Sequence, residues 1–191
     1  MTTSPQARPL VIGIVGWKNS GKTTLVSRLI EEFTSRGLKV ASVKHAHHTF
    51  EIDDKETDSA RHRKAGAKQV AIVSAKRWAV VTQNEEDAEP SLDEVIASLN
   101  PSDIIIVEGY KAAPIPKIEA RRTDQAKSTP LADADPNIIA IAADHAVAGQ
   151  VNCPVFHLDN ITEIADYLDT SIGPLQPDTR TSKPTGTKLE R

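Results

Sequence analysis

The sequence predicts an α/β domain in which helices flank a mostly parallel sheet and a β-hairpin is inserted. Short apolar runs alternate along the chain with amphipathic helical patterns, as they do in α/β domains. An apolar run at Leu10–Val15 is followed by a helical stripe within Thr23–Arg36, a stop at Gly37 and a second apolar run at Leu38–Lys44. These segments predict a right-handed βαβ unit at the start of the domain.

The middle of the chain departs from this alternation. Two strand-like segments, Gln69–Ser74 and Trp78–Gln83, lie close enough in sequence to predict a hairpin. A helix is expected at Ser91–Leu99, where Ser91 and Glu94 have the spacing of a capping box. The remaining elements are expected to be strands at Asp103–Val107, Lys117–Arg122, Ile138–Ala142 and Val155–Leu158, followed by a capped helix that ends near Leu168.

Length and the two chain ends set the expected domain bounds. The chain has 191 residues, enough for one domain with its own core. Residues 1–9 are polar and predict a flexible N-terminus, and residues 10–170 form the predicted domain. Residues 171–191 contain three prolines and little apolar periodicity, which predicts a disordered tail.

Composition argues against several classes of protein. Lys and Arg total 23 and Asp and Glu total 26, so the net charge of -3 gives no general attraction to nucleic acid or anionic lipid. The single cysteine, Cys153, cannot form an intrachain disulfide, which suits a reducing compartment. No apolar run approaches the roughly 18 residues that span a bilayer, and the N-terminus lacks a signal-peptide pattern. We therefore expect a cytoplasmic protein without nucleic-acid or membrane partners.

The strongest chemical signal follows the first predicted strand, where residues 16–23 match the pattern G-x-x-x-x-G-K-[ST]. In this pattern the glycines let successive N–H groups point into one anion-binding hollow, while Lys22 faces the β- and γ-phosphates and Thr23 ligates Mg²⁺. The start of the next helix adds the positive end of its dipole. The sequence thus predicts a P-loop NTPase fold, with nucleotide-binding residues Gly16, Trp17, Lys18, Asn19, Ser20, Gly21, Lys22, Thr23 and Thr24.

A P-loop also needs a carboxylate that holds or orients the Mg²⁺ from a neighbouring strand. Glu108 ends an apolar strand, whereas Asp103 begins it and is expected at the opposite edge of the sheet, roughly 15 Å away. We therefore predict Lys22 and Glu108 as catalytic residues, and Thr23 and Glu108 as metal ligands. Three aspartates after the second strand offer further carboxylates: Asp53, which we take as a third metal ligand, Asp54 and Asp58.

Spacing alone does not identify the base of the nucleotide, because the N-K-x-D motif that commonly recognises guanine is absent. Asp144 and Asp159 each follow a late strand, on the side of an α/β sheet where ligands bind. Asp144 is the preferred guanine-binding residue, because its strand is the more clearly apolar, and Asp159 is the alternative.

Two basic clusters have open roles. His45, His47 and His48 lack a nearby cysteine and the H-x-x-x-H spacing of a helical zinc site, so contacts with phosphate or a partner's anionic group are favoured over zinc. The run Arg61–Lys64 is typical of a solvated helix face, and beside a nucleotide or a pterin phosphate it would serve as a clamp.

Several segments together resemble the molybdopterin-guanine dinucleotide biosynthesis protein B (MobB) family. The resemblance extends from Val11 to Leu168 and includes a late strand that ends in an aspartate, Asp144. Besides the P-loop, it rests on Lys44-His45-Ala46-His47-His48, on Asp58-Ser59 with Arg63-Lys64-Ala65-Gly66-Ala67, on Arg77-Trp78-Ala79 and on Val107-Glu108-Gly109-Tyr110-Lys111.

This resemblance implies a homodimeric GTP-binding protein with weak, Mg²⁺-dependent GTPase activity. It also implies an adapter role beside the guanylyltransferase that joins GMP to molybdopterin, with molybdopterin as a further candidate ligand. Two other interpretations stay open: a non-hydrolysing nucleotide-dependent scaffold, and a P-loop small-molecule kinase with Arg61, Arg63 and Lys64 as lid cations.

The predicted hairpin at Gln69–Gln83 also suggests where a homodimer would form. Its open edges need cover, and Trp78 offers a large apolar side chain; packing of Trp78 in its own subunit is the alternative. No segment indicates an arginine finger, a residue that contributes roughly 10³–10⁵ in rate. We therefore expect slow GTP hydrolysis, with the missing cation supplied by a partner or by the second subunit, for example by Arg77.

Overall fold

The computed structural model describes residues 9–46, 57–85, 88–125, 129–147 and 151–172. The strands are β1 (Leu10–Val15), β2 (Val40–Lys44), β3 (Gln69–Val73), β4 (Trp78–Thr82), β5 (Ile104–Glu108), β6 (Lys117–Arg121), β7 (Ile138–Ala143) and β8 (Val155–His157). The helices are α1 (Lys22–Ser35), α2 (Asp58–Lys64), α3 (Leu92–Ala97) and α4 (Ile161–Ile172), with a 3-10 turn at Thr123–Gln125. These elements form two compact units, the sheet unit (up to residue 45 and from residue 99) and the hairpin unit (46–98).

The sheet unit is built on six strands in the order β2-β5-β1-β6-β7-β8, and every neighbouring pair is parallel. β5 is buried along its whole length, because a parallel strand covered on both faces has no solvent side. The mostly parallel sheet flanked by helices is confirmed. β5 lies between β1 and β2, however, so the two strands of the predicted βαβ unit are not neighbours.

Helices α1 and α4 contact each other and share one apolar core with the sheet. From α1 the core receives Leu25, Leu29 and Phe33, and from α4 it receives Ile164 and Leu168. Burial of one such side chain contributes about 1.5–3 kcal/mol. This core fixes the start of α1 against the sheet, and with it the loop that precedes α1.

The hairpin unit contains an antiparallel ribbon of β3 and β4, in which Val73 is paired with Trp78. The turn between the strands is closed by Ser74, whose Oγ donates to the carbonyl of Arg77 at 2.8 Å. Helix α2 contacts β3. Helix α3 begins with the predicted capping box of Ser91 and Glu94. The inserted hairpin is therefore confirmed.

Most predicted elements agree with the structure to within one or two residues at each end. The last helix is an exception, because α4 continues to Ile172, which packs against the core. The first two residues of the predicted tail are thus helical, whereas residues 1–8 and 173–191 lie outside the described residues. In the part of the chain that the structure describes, no helix is long and apolar enough to cross a membrane.

Candidate phosphate-binding site

The loop between β1 and α1 has a backbone that only glycine permits at two positions. Gly16 has φ +147° and Gly21 has φ +91°. A Cβ at Gly16 would lie 2.4 Å from Ser20 Oγ and 2.5 Å from the carbonyl oxygen of Ala120. Any side chain at this position would therefore push the loop away from β6.

The start of α1 leaves backbone donors free for a ligand. Gly21 is the N-cap residue and provides no side-chain hydrogen bond to the helix. The N–H groups of Lys22, Thr23 and Thr24 belong to the first turn, which has no intrahelical acceptors. Together with the helix dipole, these N–H groups attract an anion.

Lys22 lies across the loop, and its Nζ donates to the carbonyls of Gly16 at 3.1 Å and Trp17 at 2.7 Å. Burial lowers the pKa of Lys22; Glu108 opposes this shift, while Lys111 and Lys44 act in the same direction as burial. Three lysines therefore share one neighbourhood with a single glutamate. The resulting excess of positive charge favours a polyanionic ligand.

The two predicted metal ligands are in contact, since Thr23 Oγ1 donates to Glu108 Oε1 at 2.8 Å. Glu108 is 9% exposed at the end of β5, and Lys44 Nζ lies 3.4 Å from the same Oε1 atom. Hydroxyl and carboxylate oxygens are donors that Mg²⁺ prefers, so the residues present suit this ion. Asp103 is bound at the opposite edge of the sheet, as predicted, where its Oδ2 accepts from the Lys39 N–H at 2.6 Å.

Trp17 joins the loop to two later segments of the sheet unit. Its Nε1 donates to the carbonyl of Thr129 at 2.8 Å, and Lys111 Nζ lies 4.1 Å from the centre of one of its rings. Gly109 and Tyr110 precede Lys111 with φ values of +94° and +50°, a backbone that turns the chain sharply after β5. The Trp17 indole and Lys111 are thus held together beside the loop.

Buried charges on β6 secure the segment that follows Thr129. The Lys117 ammonium, 1% exposed, lies 2.9 Å from Asp135 Oδ2. Burial opposes ionisation of Asp135, but hydrogen bonds from Lys117 and Asn137 outweigh it and hold the pKa of Asp135 below its usual value. The buried carboxylate of Glu119 accepts from the N–H group of Leu131 at 3.0 Å. These contacts attach residues 131–137 to the sheet.

The two candidate guanine-binding aspartates lie where the sequence predicts, beyond the carboxyl ends of β7 and β8. Asp144 Oδ1 accepts from the N–H of Thr123 at 2.7 Å and lies 3.0 Å from His145 Nδ1. The hydrogen bond with His145 is the largest cause that lowers the pKa of Asp144. Asp159 forms an ion pair with Arg28, which lowers the pKa of Asp159. The role of Asp144 in base recognition stays a prediction.

The other predicted residues belong to the hairpin unit, follow β2 in the sheet unit, or lie outside the described residues. Asp58 and the run Arg61–Lys64 belong to α2 of the hairpin unit. His45 lies in the sheet unit, where its ring centre is 4.5 Å from that of Tyr110. Outside the described residues lie Asp53, Asp54, His47 and His48.

Two cations of the site lie in segments that carry the family resemblance, but no role was predicted for either of them. Lys44 ends β2 and Lys111 follows β5, and both act on Lys22. Neither lysine belongs to the pattern at residues 16–23, and the order of the strands brings both to the loop. The available signal for Lys44 was its position as the last residue of a predicted strand, at the same edge as Glu108.

The sheet order and the loop after β1 place the sheet unit in the P-loop NTPase class of α/β folds. Comparison with known proteins identifies the family within this class. The family model of molybdopterin guanine dinucleotide synthesis protein B matches residues 11–144. The chain therefore belongs to the MobB family, which confirms the resemblance that the sequence motifs carry.

Individual relatives agree with this assignment. The chain is 34% identical over 161 residues to a molybdopterin-guanine dinucleotide biosynthesis adapter protein of Haemophilus influenzae, covering 83% of this chain and 87% of that protein. It is 31% identical to the Escherichia coli protein of the same name, covering 83% and 90%. A crystal structure of a MobB homologue from Bacillus stearothermophilus superposes with a TM-score of 0.63 at 27% identity, covering 85% of this chain and 97% of that one.

Proposed function

We propose that this chain is an adapter in the formation of molybdopterin guanine dinucleotide and that it binds Mg²⁺ and GTP at the loop after β1. Its relatives in Haemophilus influenzae and Escherichia coli are named as adapter proteins of this biosynthesis, which supports the pathway. The 2.8 Å contact between Thr23 Oγ1 and Glu108 Oε1 is the single observation that best supports binding of a metal-nucleotide complex.

The phosphates would be held mainly by groups that the chain already presents. The free N–H groups at the start of α1 would donate hydrogen bonds to phosphate oxygens, and Lys22 belongs to the same helical turn. In the proposed complex, Lys22 Nζ exchanges its bonds with the Gly16 and Trp17 carbonyls for phosphate oxygens. A phosphate also relieves the repulsion among Lys22, Lys44 and Lys111.

Thr23 and Glu108 would hold Mg²⁺, and Asp53 stays the candidate for a further ligand. Bound Mg²⁺ supplies positive charge against the terminal phosphates. Glu108 is fixed for this role from two directions, because Thr23 and Lys44 both contact its Oε1. Lys44 would then remain beside the metal site and balance the charge of the carboxylate.

GTP hydrolysis would be slow in this arrangement. Lys22, Thr23 and Glu108 serve phosphate and metal binding, but the motifs indicate no arginine finger. Such a residue contributes roughly 10³–10⁵ in rate, so a site without one turns over slowly. We infer that GTP binding promotes guanylate transfer by the partner enzyme and that this chain does not catalyse the transfer itself.

The hairpin unit would form the homodimer contact. Side chains alternate between the two faces of a ribbon, so Val73, Trp78 and Val80 share one face. Trp78 is 65% exposed and Val73 is 76% exposed, which favours contact with a second subunit over packing of Trp78 in its own core. Burial of this face in a dimer would remove exposed apolar surface from water.

A reconstituted reaction tests the adapter role. Purified protein, GTP, molybdopterin and the guanylyltransferase are mixed, and dinucleotide formation is followed with wild-type protein, Lys22→Ala or Lys39→Ala. Lys39 is an exposed lysine just before β2, at the opposite edge of the sheet from the loop, and serves as the matched control. We expect stimulation by wild type and Lys39→Ala, and none by Lys22→Ala.

Two results of this reaction would overturn the proposal. Equal stimulation by Lys22→Ala would separate the adapter role from the loop. Rapid GTP consumption by this protein alone would favour the kinase interpretation, and dinucleotide synthesis by this protein alone would mean that it catalyses the guanylate transfer itself.

A further inference from the structure

We propose that Arg122 is a second cation of the nucleotide site and binds a phosphate that GTP and GDP share. The inference rests on the proposed binding of nucleotide at the loop after β1, and it assigns a role to a residue outside the P-loop pattern. Arg122 follows β6 directly, on the flank of β1 opposite to β5.

The guanidinium of Arg122 lies against the last glycine of the loop. A Cβ at Gly21 would be 2.8 Å from Arg122 Nε and 3.1 Å from Leu158 Cδ2. Because Gly21 is the N-cap residue of α1, this arginine stands beside the free N–H groups of the first helical turn. The glycine thus permits both the turn of the loop and the approach of the arginine.

Arg122 differs from its neighbour in how its charge is satisfied. Arg121 pairs with the buried carboxylate of Glu119 at 2.7 Å. Among the described residues, Nε is buried without a hydrogen-bond acceptor in both arginines, but no carboxylate pairs with the Arg122 side chain. Asp159, the acidic group on which Arg122 acts, is already paired with Arg28. A buried guanidinium N–H without an acceptor is costly, and an anionic oxygen would remove that cost.

A second buried donor lies in the same loop. Ser20 is 1% exposed, and its Oγ has no hydrogen-bond partner among the described residues. Its Oγ points toward Gly16, where a Cβ would be only 2.4 Å away. Unsatisfied polar groups of Ser20, within the loop, and of Arg122, beside it, are therefore available to a ligand.

Strand order indicates which part of a nucleotide Arg122 would meet. Glu108 is on β5, to one side of β1, and is in contact with Thr23 and Lys44. The proposed metal ion and terminal phosphate would bind on this side. Arg122 is on the other side, toward β7 and the candidate base-binding Asp144. The phosphate chain would pass from Glu108 toward this side, so Arg122 would contact a phosphate nearer the nucleoside, one that remains in GDP.

Calorimetric titration of GTP and GDP tests this role in wild type, Arg122→Gln, Arg122→Lys, Lys22→Ala and the control Lys39→Ala. Loss of a charged hydrogen bond predicts a roughly ten- to hundredfold weaker affinity of Arg122→Gln, equal for GTP and GDP, with partial recovery in Arg122→Lys. Lys39→Ala removes a positive charge at the opposite edge of the sheet and should change affinity less than about twofold.

Each contrary outcome has a distinct meaning. Unchanged affinity in both Arg122 variants, while Lys22→Ala loses binding, would overturn the role of Arg122 and leave the nucleotide site intact. A loss for GTP alone would overturn the assignment to a shared phosphate. Unchanged affinity in Lys22→Ala would instead reject the nucleotide site itself. If Arg122→Gln lowers the thermal midpoint of unfolding, Arg122→Lys is used instead. An equal loss of affinity for GTP and GDP in Arg122→Lys would support the role of Arg122, and no loss for either nucleotide would overturn it.

Discussion

The sheet unit and the hairpin unit differ in how far they bury their apolar side chains. In the sheet unit, β5 is buried at every position and α1 and α4 share a core with the strands. In the hairpin unit, Trp78 and Val73 are mostly exposed. An isolated two-stranded ribbon is at best marginally stable in water. The contrast indicates that the sheet unit is complete as a fold, whereas the exposed hairpin face needs a further contact.

Charged groups show the same division. The sheet unit buries Lys117 and Glu119, and both have partners of opposite charge. In the hairpin unit, the ion pairs between Lys68 and Glu85 at 3.7 Å and between Arg61 and Asp58 at 3.9 Å are exposed. Exposed pairs contribute little to stability, whereas a buried charge without its partner is costly. The positioned chemistry therefore belongs to the sheet unit, and the hairpin unit offers a surface.

The largest expected effect comes from breaking a buried pair of the sheet unit. Asp135→Asn leaves the ammonium of Lys117 buried without its carboxylate and should destabilise the fold by about 3 kcal/mol. Denaturant unfolding measures the change, with the exposed Asp133→Asn in the same segment as control. Equal stability of both variants would mean that the Lys117–Asp135 pair does not hold the segment.

Removing Lys22 from the loop tests whether GTP binding, proposed for the sheet unit, is independent of dimerisation, proposed for the hairpin unit. Lys22→Ala should weaken GTP binding roughly a hundredfold, since it removes the cation that lies across the loop. The molecular mass in light scattering should stay that of wild type, because the proposed dimer contact lies in the hairpin unit. Normal GTP binding by Lys22→Ala would contradict the role of the loop. A change in its molecular mass would contradict a dimer contact that is independent of the loop.

The reverse experiment acts on the hairpin. Trp78→Ser should weaken dimerisation by about 2 kcal/mol, a typical cost for an apolar anchor of an interface, and leave GTP affinity unchanged. Sedimentation equilibrium measures the dissociation constant, with Lys76→Ser in the turn as control. A wild-type protein that is monomeric at micromolar concentration would remove the interface proposal altogether.

Selectivity for guanine is expected to depend on Asp144. Asp144→Ala should lower the preference for GTP over ATP by about 1–3 kcal/mol, because a bidentate acceptor for the base is lost. Competition titrations with both nucleotides measure the preference, and Asp159→Ala is the comparison. Full selectivity in Asp144→Ala together with its loss in Asp159→Ala would move base recognition to Asp159.

Local patterns were enough to predict the strands, the hairpin and the position of Thr23 and Glu108 at the same edge of the sheet. Glu108 could be chosen over Asp103 from strand direction alone. The order of strands was not predictable, since nothing local to β5 indicates that it lies between β1 and β2. Arg122 depended on this missing information, because only its position beside β1 brings it to Gly21.

The bounds of short helices were harder to predict: the sequence indicated a helix face at Arg61–Lys64, but not where that helix begins. Helix α2 has seven residues and buries Ala60, so it carries almost no apolar periodicity that a sequence pattern could detect. It begins instead at Thr57, whose side chain accepts from the Ala60 N–H at 3.3 Å. Such a capping contact is visible in sequence only as one more Thr before an Asp.

The two carboxylates at opposite ends of one strand give the most direct measurement of the central claim, that Mg²⁺ and GTP bind together where Thr23 meets Glu108. GTP affinity is titrated with and without Mg²⁺ for wild type, Glu108→Gln and Asp103→Asn. The account predicts that Mg²⁺ strengthens GTP binding in wild type and in Asp103→Asn, and that most of this gain is lost in Glu108→Gln. The same Mg²⁺-dependent gain in all three proteins would contradict it.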